Sequence, residues 1–181
     1  MADALLIGNE TTGESGNSSN FHYLSRFQAI ANGNNVTDFR VYCSGAGNIK
    51  ANIYSDNSGE PNTLLSANNI GTSVVSGWNS IIVPVVTIIS GTWYWLGLNA
   101  DAAIVRRNNT GGTIRYKSST YSTFTAPDPA GTGFNTDSLN MCVTLYGESG
   151  SGILIPTIYS ISDPTIINNQ SGITILGSNF N

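Results

Sequence analysis

Short apolar runs separated by polar, glycine-rich clusters dominate the chain. No stretch repeats apolar residues at i, i+3, i+4 and i+7 over the length of a helix, whereas runs rich in Val, Ile, Tyr, Thr and Trp recur throughout. The clusters at 32–35, 56–59 and 111–112 contain Asn, Asp and Gly, which tolerate the backbone conformations of tight turns. This pattern predicts an all-β fold, an antiparallel β-sandwich or jelly roll. The predicted strands are 5–7, 21–30, 36–43, 49–54, 72–75, 80–83, 92–99, 103–105, 113–116 and 140–146.

The pattern also divides the chain into a large first unit and a short tail. We assign residues 1–149 to the sandwich, 150–155 to a Gly/Ser linker and 156–181 to two further strands. Because a two-stranded hairpin is marginal by itself in water, the tail is expected to dock on its own first domain, to pair with another copy, or to open a domain that continues. Pairing between copies would make the protein a homo-oligomer through its C-terminal strands.

Composition narrows the possible partners. Charged residues make up only 10% of the chain, against about 25% in an ordinary soluble domain. Seven basic residues against eleven acidic ones are too few to displace the counterions of a nucleic acid. The longest apolar run, 81–89, is interrupted by Pro84 and is under half the length of a membrane span. We therefore expect neither nucleic-acid binding nor membrane insertion.

Metal and redox chemistry have little support in the sequence. One histidine and two cysteines are too few for a His/Cys zinc site. Residues 56–60 and 99–101 contain oxygen atoms that could bind a structural calcium ion, and the alternative is that they form plain turns. No cofactor is expected. Cys43 and Cys142 lie in apolar runs, which favours buried free thiols over a disulfide.

The sequence gives no sign of an enzyme. Ser-His-Asp or Cys-His chemistry would have to use His22, the only histidine, which lies in a predicted strand as a surface or hydrogen-bonded residue. The acidic residues are scattered, with no pair in a setting typical of glycoside cleavage. The first eight residues lack the basic region and apolar length of a signal peptide, so we expect removal of a signal or release at lysis, as for a viral structural protein.

The tail contains a motif that resembles the opening of an IPT/TIG immunoglobulin-like domain. That opening reads P-x-I-x-S-I-x-P followed by G-x-x-I-x-G-x-N-F. The resemblance covers about 30 residues and implies the first two strands of such a domain. The matching residues are Pro156, Ile158, Ser160, Ile161, Pro164, Gly172, Ile175, Gly177, Asn179 and Phe180.

Residues 27–147 resemble a jelly-roll domain of bacterial surface proteins and phage proteins, often attached to cell-wall anchors or glycan-active enzymes. The resemblance implies a carbohydrate-binding-like sandwich and names no ligand. The matching segments are 48–56, 59–65, 76–79, 91–96 and 143–147.

Aromatic side chains beside planar polar groups are the strongest candidates for a binding site, since sugars stack apolar C–H faces on flat rings. Alternation along 92–99 places Trp93, Trp95 and Asn99 on one face, which is either a binding platform or a surface covered by loops. Trp78 is expected to fill the core. The long loop that follows is either part of the site or a cover over one sheet. The candidate carbohydrate-binding residues are Trp93, Asn99, Asp101, Arg106, Arg107, Tyr116, Tyr121 and Phe124.

These observations favour a non-catalytic carbohydrate-binding module that recognises an oligo- or polysaccharide. The alternative is a structural or adhesion module, such as a phage tail or capsid-decoration part, that binds protein neighbours. Either function implies an extracellular, cell-surface or virion location.

Overall fold

The computed structural model describes residues 3–108 and 111–148, and the linker and tail predicted from the sequence lie outside them. The regular secondary structure of this part of the chain consists of β-strands and one short 3-10 helix, Tyr121–Thr123. The strands are β1 (Asp3–Gly8), β2 (Ser15–Gly16), β3 (Phe21–Gln28), β4 (Gly33–Cys43), β5 (Gly47–Asn57), β6 (Glu60–Ala67), β7 (Thr72–Val74), β8 (Gly77–Ile88), β9 (Trp93–Ala100), β10 (Arg106–Asn108), β11 (Ile114–Ser118), β12 (Asn135–Asp137), β13 (Asn140–Met141) and β14 (Val143–Glu148).

Two antiparallel sheets form the sandwich. The four-stranded sheet has the order β1-β14-β4-β8, and the larger sheet has the order β12-β11-β3-β9-β5-β6, with β7 paired to β5. A small sheet, β13-β10-β2, lies beside them. The predicted all-β sandwich is therefore confirmed.

Alternating side chains from both sheets form the main core. On β4 and β14 the inward residues include Phe39, Val41 and Leu145, which are fully buried. On β9 of the larger sheet, Leu96 and Leu98 belong to the same cluster. Because successive side chains of a strand point to opposite faces, the residues between them lie on the outer faces, where binding surfaces can form.

The outer face of the larger sheet carries a second, smaller core. Leu24, Tyr54 and Trp95 are buried there against Phe124 and Ala126 of the segment between β11 and β12. This segment, residues 119–134, is called the cover loop below. Its packing decides which parts of the sheet remain accessible.

Most predicted strands are present, and the exceptions have local causes. The prediction of a strand at 103–105 is wrong, because a tight turn forms there, in which Ile104 N donates to Ala102 O at 2.9 Å. The next strand, β10, begins only at Arg106. The predicted strand 140–146 is divided into β13 and β14, with Cys142 between them. Strands β2, β6 and β12 were not predicted.

Two further sequence predictions meet different outcomes. Cys43 and Cys142 are buried and free, as expected. Trp78 does not fill the core, because it is 40% exposed on the outer side of β8. Among residues 3–108 and 111–148, no helix has the length and apolar character needed to cross a membrane.

Candidate functional site

Trp93 is an exposed aromatic ring between two clefts. It begins β9 and is 39% exposed, whereas every other residue of this strand is buried. One cleft, of about 460 Å³, extends from Trp93 toward β8, and the other, of about 600 Å³, extends toward residues 111–113. Trp93 lines both clefts, so a ligand in either would contact the indole.

An ion pair on the neighbouring strands holds this ring in place. The guanidinium carbon of Arg26 lies 4.2 Å from the centroid of the Trp93 ring. Arg26 in turn donates from Nε and Nη2 to the two carboxylate oxygens of Asp56, at 2.7 and 2.9 Å. This bidentate geometry fixes the guanidinium plane, and the cation over the indole adds an electrostatic attraction.

Asp56 connects the ion pair to the interior of the sheet. Its carboxylate also accepts hydrogen bonds from Trp95 Nε1 at 2.8 Å and from the Gly59 backbone N at 3.1 Å. Burial by itself would raise the pKa of the Asp56 carboxyl, but the hydrogen bonds from Arg26, Gly59 and Trp95 outweigh it and lower the pKa. Asp56 therefore stays ionised and acts as a fixed support for Arg26.

The two clefts differ in their lining. The cleft toward β8 contains the exposed apolar side chains of Leu65 and Val85 together with the hydroxyls of Ser55 and Thr87. It offers an apolar wall with few polar groups.

The larger cleft is lined by amide and hydroxyl groups. Gln28 is the cross-strand partner of Trp93 and donates from Nε2 to Gly91 O at 2.8 Å. Asn140, on the far side, donates from Nδ2 to Gly111 O at 2.6 Å. Thr113 and Ser138 complete the polar lining. An aromatic ring thus stands beside planar amides held by the backbone.

The cover loop buries the opposite end of the same sheet face. Lys50 is buried and donates from Nζ to the carbonyls of Tyr121 and Phe124, at 3.0 and 2.7 Å. Asn99 Nδ2 donates to Ser119 O at 2.8 Å. The side chains of Asn99 and Phe124 are buried as a result, so these two predicted site residues are corrected from surface to interior positions.

Further hydrogen bonds hold the rest of the cover loop. Tyr54 Oη donates to Pro127 O at 2.9 Å, and Lys117 Nζ donates to Ala130 O at 3.2 Å. Of the two alternatives left open by the sequence, the loop adopts the second and covers one sheet. Tyr121 is half-buried, and burial followed by the charge of Asp101 raises the pKa of its phenol.

The remaining predicted site residues are dispersed. Asp101 accepts hydrogen bonds from Asn48 N and Nδ2, and Arg106 donates to the Glu14 carbonyl. Arg107 lies in the small sheet, where its Nε is buried without a hydrogen-bond partner. Tyr116 stacks on Tyr23, with ring centroids 5.7 Å apart, beside the main core.

The structure therefore brings together only some of the predicted set. Asn99, Tyr121 and Phe124 meet under or within the cover loop. Trp93 lies at the other end of β9, about 20 Å from Asn99, since a strand extends by about 3.3 Å per residue. The predicted carbohydrate-binding residues did not include Arg26, Gln28, Asp56 and Asn140. Alternation could have placed Arg26 and Gln28 on one face, but no local signal shows which strands adjoin.

His22 lies beneath the cover loop. Its Nε2 is 3.1 Å from Asn52 Oδ1, and its ring contacts Phe124, with ring centroids 4.8 Å apart. Burial lowers the pKa of His22 to about 4, although the Asn52 hydrogen bond opposes this, and the charge of Lys117 lowers it further. The imidazole is therefore neutral at physiological pH and has no access to the surface around Trp93.

Within residues 3–108 and 111–148, no three His, Cys, Asp or Glu side chains are grouped so that they could hold a metal ion. Comparison with known proteins adds no assignment: no protein-family model matches the chain, and no curated protein matches it significantly.

Proposed function

We propose that the protein is a non-catalytic carbohydrate-binding module that recognises an oligo- or polysaccharide through the surface around Trp93. The observation that carries this proposal is the exposed indole between two clefts, with amides and hydroxyls on one side. A sugar ring presents a C–H face that packs on a flat aromatic ring, and its hydroxyls bond to amide and hydroxyl groups.

The support of Trp93 by Arg26 and Asp56 favours this use. A ring that is already held by a cation and an ion pair loses little conformational freedom when a ligand binds. The two clefts meet at the indole, so successive rings of a saccharide chain can lie on either side of it. We therefore expect a chain rather than a single sugar to be the preferred ligand.

The strand order supports the jelly-roll form of the sandwich. The eight principal strands in chain order are β1, β3, β4, β5, β6, β8, β9 and β14. Numbered from one to eight, they adjoin in the orders 1-8-3-6 and 2-7-4-5 in the two sheets. Two four-stranded rows with this interleaving are typical of a jelly roll, a fold used by lectin domains and viral capsid proteins.

A glycan array on the purified protein, followed by calorimetry with the best ligand, tests the proposal. We expect Trp93→Ala to weaken binding by about 1–3 kcal/mol, by analogy with the stacking of a base on an aromatic ring. Trp93→Phe is the matched control, because it keeps a flat ring and should retain most of the affinity. Both variants should unfold at nearly the wild-type temperature, since the indole is partly exposed.

An array without any bound glycan, or a Trp93→Ala variant that binds as tightly as the wild type, would contradict the proposal. Unfolding curves of the two variants would show whether a loss of binding is only a loss of structure.

Apolar side chains on the surface favour a second candidate function, a structural or adhesion module that binds protein neighbours. Ile70 is 94% exposed, Ile82 is 65% exposed and Val85 is 59% exposed. Ile82 and Val85 belong to one strand, β8, and contiguous exposed apolar surface is common at protein interfaces. For this candidate the array stays negative and the protein associates with a neighbouring protein of a virion or cell surface. Either function places the protein outside the cell or on a virion.

A further inference from the structure

The four-stranded sheet has an aromatic cleft of its own on its outer face. The cleft has a volume of about 170 Å³ and is lined by Glu10, Arg40, Trp78, Thr144 and Tyr146. Arg40 on β4 is the cross-strand partner of Thr144 on β14, so the floor of the cleft is the surface of the sheet itself. Trp93 belongs to the other sheet, and the main core separates the two positions.

Thr144 supplies an unused polar group in this cleft. Val143 and Leu145 on either side belong to the main core, so Thr144 faces outward. The residue is 1% exposed, and its Oγ1 is buried without a hydrogen-bond partner. Because a buried hydroxyl is normally hydrogen-bonded, a ligand that displaces the side chains over Oγ1 gains a hydrogen bond to it.

Contacts between neighbouring side chains order the walls of the cleft. The Arg40 guanidinium carbon lies 3.8 Å from the Tyr146 ring centroid, and its Nε donates to Asp38 at 2.6 Å. The Tyr146 hydroxyl donates to the Glu10 carboxylate. Trp78, which is partly exposed, packs against Tyr42 in an edge-on arrangement, with ring centroids 5.6 Å apart. One exposed ring thus stands beside oriented polar groups.

Size and charge restrict what the cleft can accept. Its volume is below the roughly 300–1,000 Å³ of pockets for drug-sized ligands, so it suits one small ring. Arg40 is its only basic residue and already lies near two carboxylates, at 2.6 Å from Asp38 and 3.9 Å from Asp3. With Glu10 also present, the local charge is negative, which disfavours an anionic ligand.

We propose that the cleft between Trp78, Tyr146 and Thr144 binds a single neutral sugar ring, independently of the surface around Trp93. The C–H face of the sugar packs on Trp78, and one hydroxyl bonds to Thr144 Oγ1. Because the two sites are on opposite sheets, one molecule of the protein can hold two glycans at once and crosslink them. On a surface with many glycans, this bivalency raises the overall affinity without new contacts.

The three tryptophan side chains give separate readouts for this proposal. Each indole N–H gives one signal in a nitrogen–proton correlation spectrum, and Trp78→Phe and Trp93→Phe assign two of the three. The probes are the methyl glycosides of glucose, galactose, mannose and N-acetylglucosamine, titrated to about 50 mM, well above a millimolar Kd. We expect at least one glycoside to shift the Trp78 signal in a saturable way.

Thr144→Val removes the hydroxyl with little change in shape and should lower the affinity for the glycoside in this titration about tenfold. Thr144→Ser keeps the hydroxyl and serves as the matched control, with near wild-type affinity. The full spectra of both variants report whether they are folded.

The outcomes separate this site from the one around Trp93. A saturable Trp78 shift that depends on Thr144 supports the second site even if the Trp93 signal never moves. A Trp78 signal that none of the glycosides moves, or a folded Thr144→Val variant that titrates like the wild type, overturns the second site. Neither result decides whether a saccharide binds at Trp93, which the array and Trp93→Ala test separately.

Discussion

The stability of the fold should depend on pH between 5 and 7 through His22, the only histidine in the chain. In the folded protein its pKa is lowered from 6.5 to about 4, chiefly because burial disfavours the charged form. The folded state therefore keeps a neutral imidazole over this range, whereas the unfolded chain takes up a proton as the pH falls below 6.5. Since the unfolded state binds more protons, acidification favours unfolding.

The size of the effect follows from these two pKa values. The full difference is worth about 3 kcal/mol, at 1.36 kcal/mol per pKa unit, and is reached below pH 4. At pH 5 the free energy of unfolding should already be about 2 kcal/mol lower than at pH 7. Asp56 and Glu60, whose pKa values are lowered, add their own losses chiefly below pH 5.

Denaturant unfolding at pH 7 and pH 5 measures this difference. His22→Gln is the control, because its amide can still donate to Asn52 Oδ1 but does not titrate. We expect the variant to show almost the same free energy of unfolding at the two pH values. Wild-type values that agree within about 0.5 kcal/mol, or an equal pH dependence in the variant, would refute the reasoning.

Three further predictions concern the interior. Lys50→Met should destabilise the protein by about 2 kcal/mol, because the cover loop loses two charge-assisted hydrogen bonds. A loss of less than about 0.5 kcal/mol in denaturant unfolding would show that Lys50 does not hold the cover loop in place. Gly97→Ala should lower the melting temperature, since the added Cβ would lie 2.0 Å from the Asn52 side chain. Gly16→Ala is the control and should lower it much less, because its added Cβ has its nearest neighbour at 3.8 Å, and equal effects of the two variants would contradict this packing. Cys43 and Cys142 should resist a thiol reagent in the folded protein and react after unfolding, because both are buried and burial raises the pKa of both thiols, that of Cys43 to about 12. Fast labelling of the folded protein would show instead that the thiols are accessible.

Periodicity in the sequence was enough to predict the class of fold. Alternation along β9 correctly placed Leu96 and Leu98 on the face opposite Trp95, because side chains of a strand alternate whatever its neighbours are. The same local signal could not predict β6, where exposed and buried residues are mixed and Pro61 interrupts the pattern. Trp78 shows that alternation alone does not decide burial, since an apolar side chain in a strand can lie on either side of a sheet.

The sequence by itself determined that this chain forms a β-sandwich with few charges and aromatic residues available for binding. Only the tertiary structure decided which of those aromatic residues are accessible. Phe124 is buried because the cover loop folds over the sheet, and Trp93 stays exposed because this loop covers the other end of β9. Arg26 and Asp56 are thirty residues apart in the chain and meet across β9 through strand register, which no local pattern encodes.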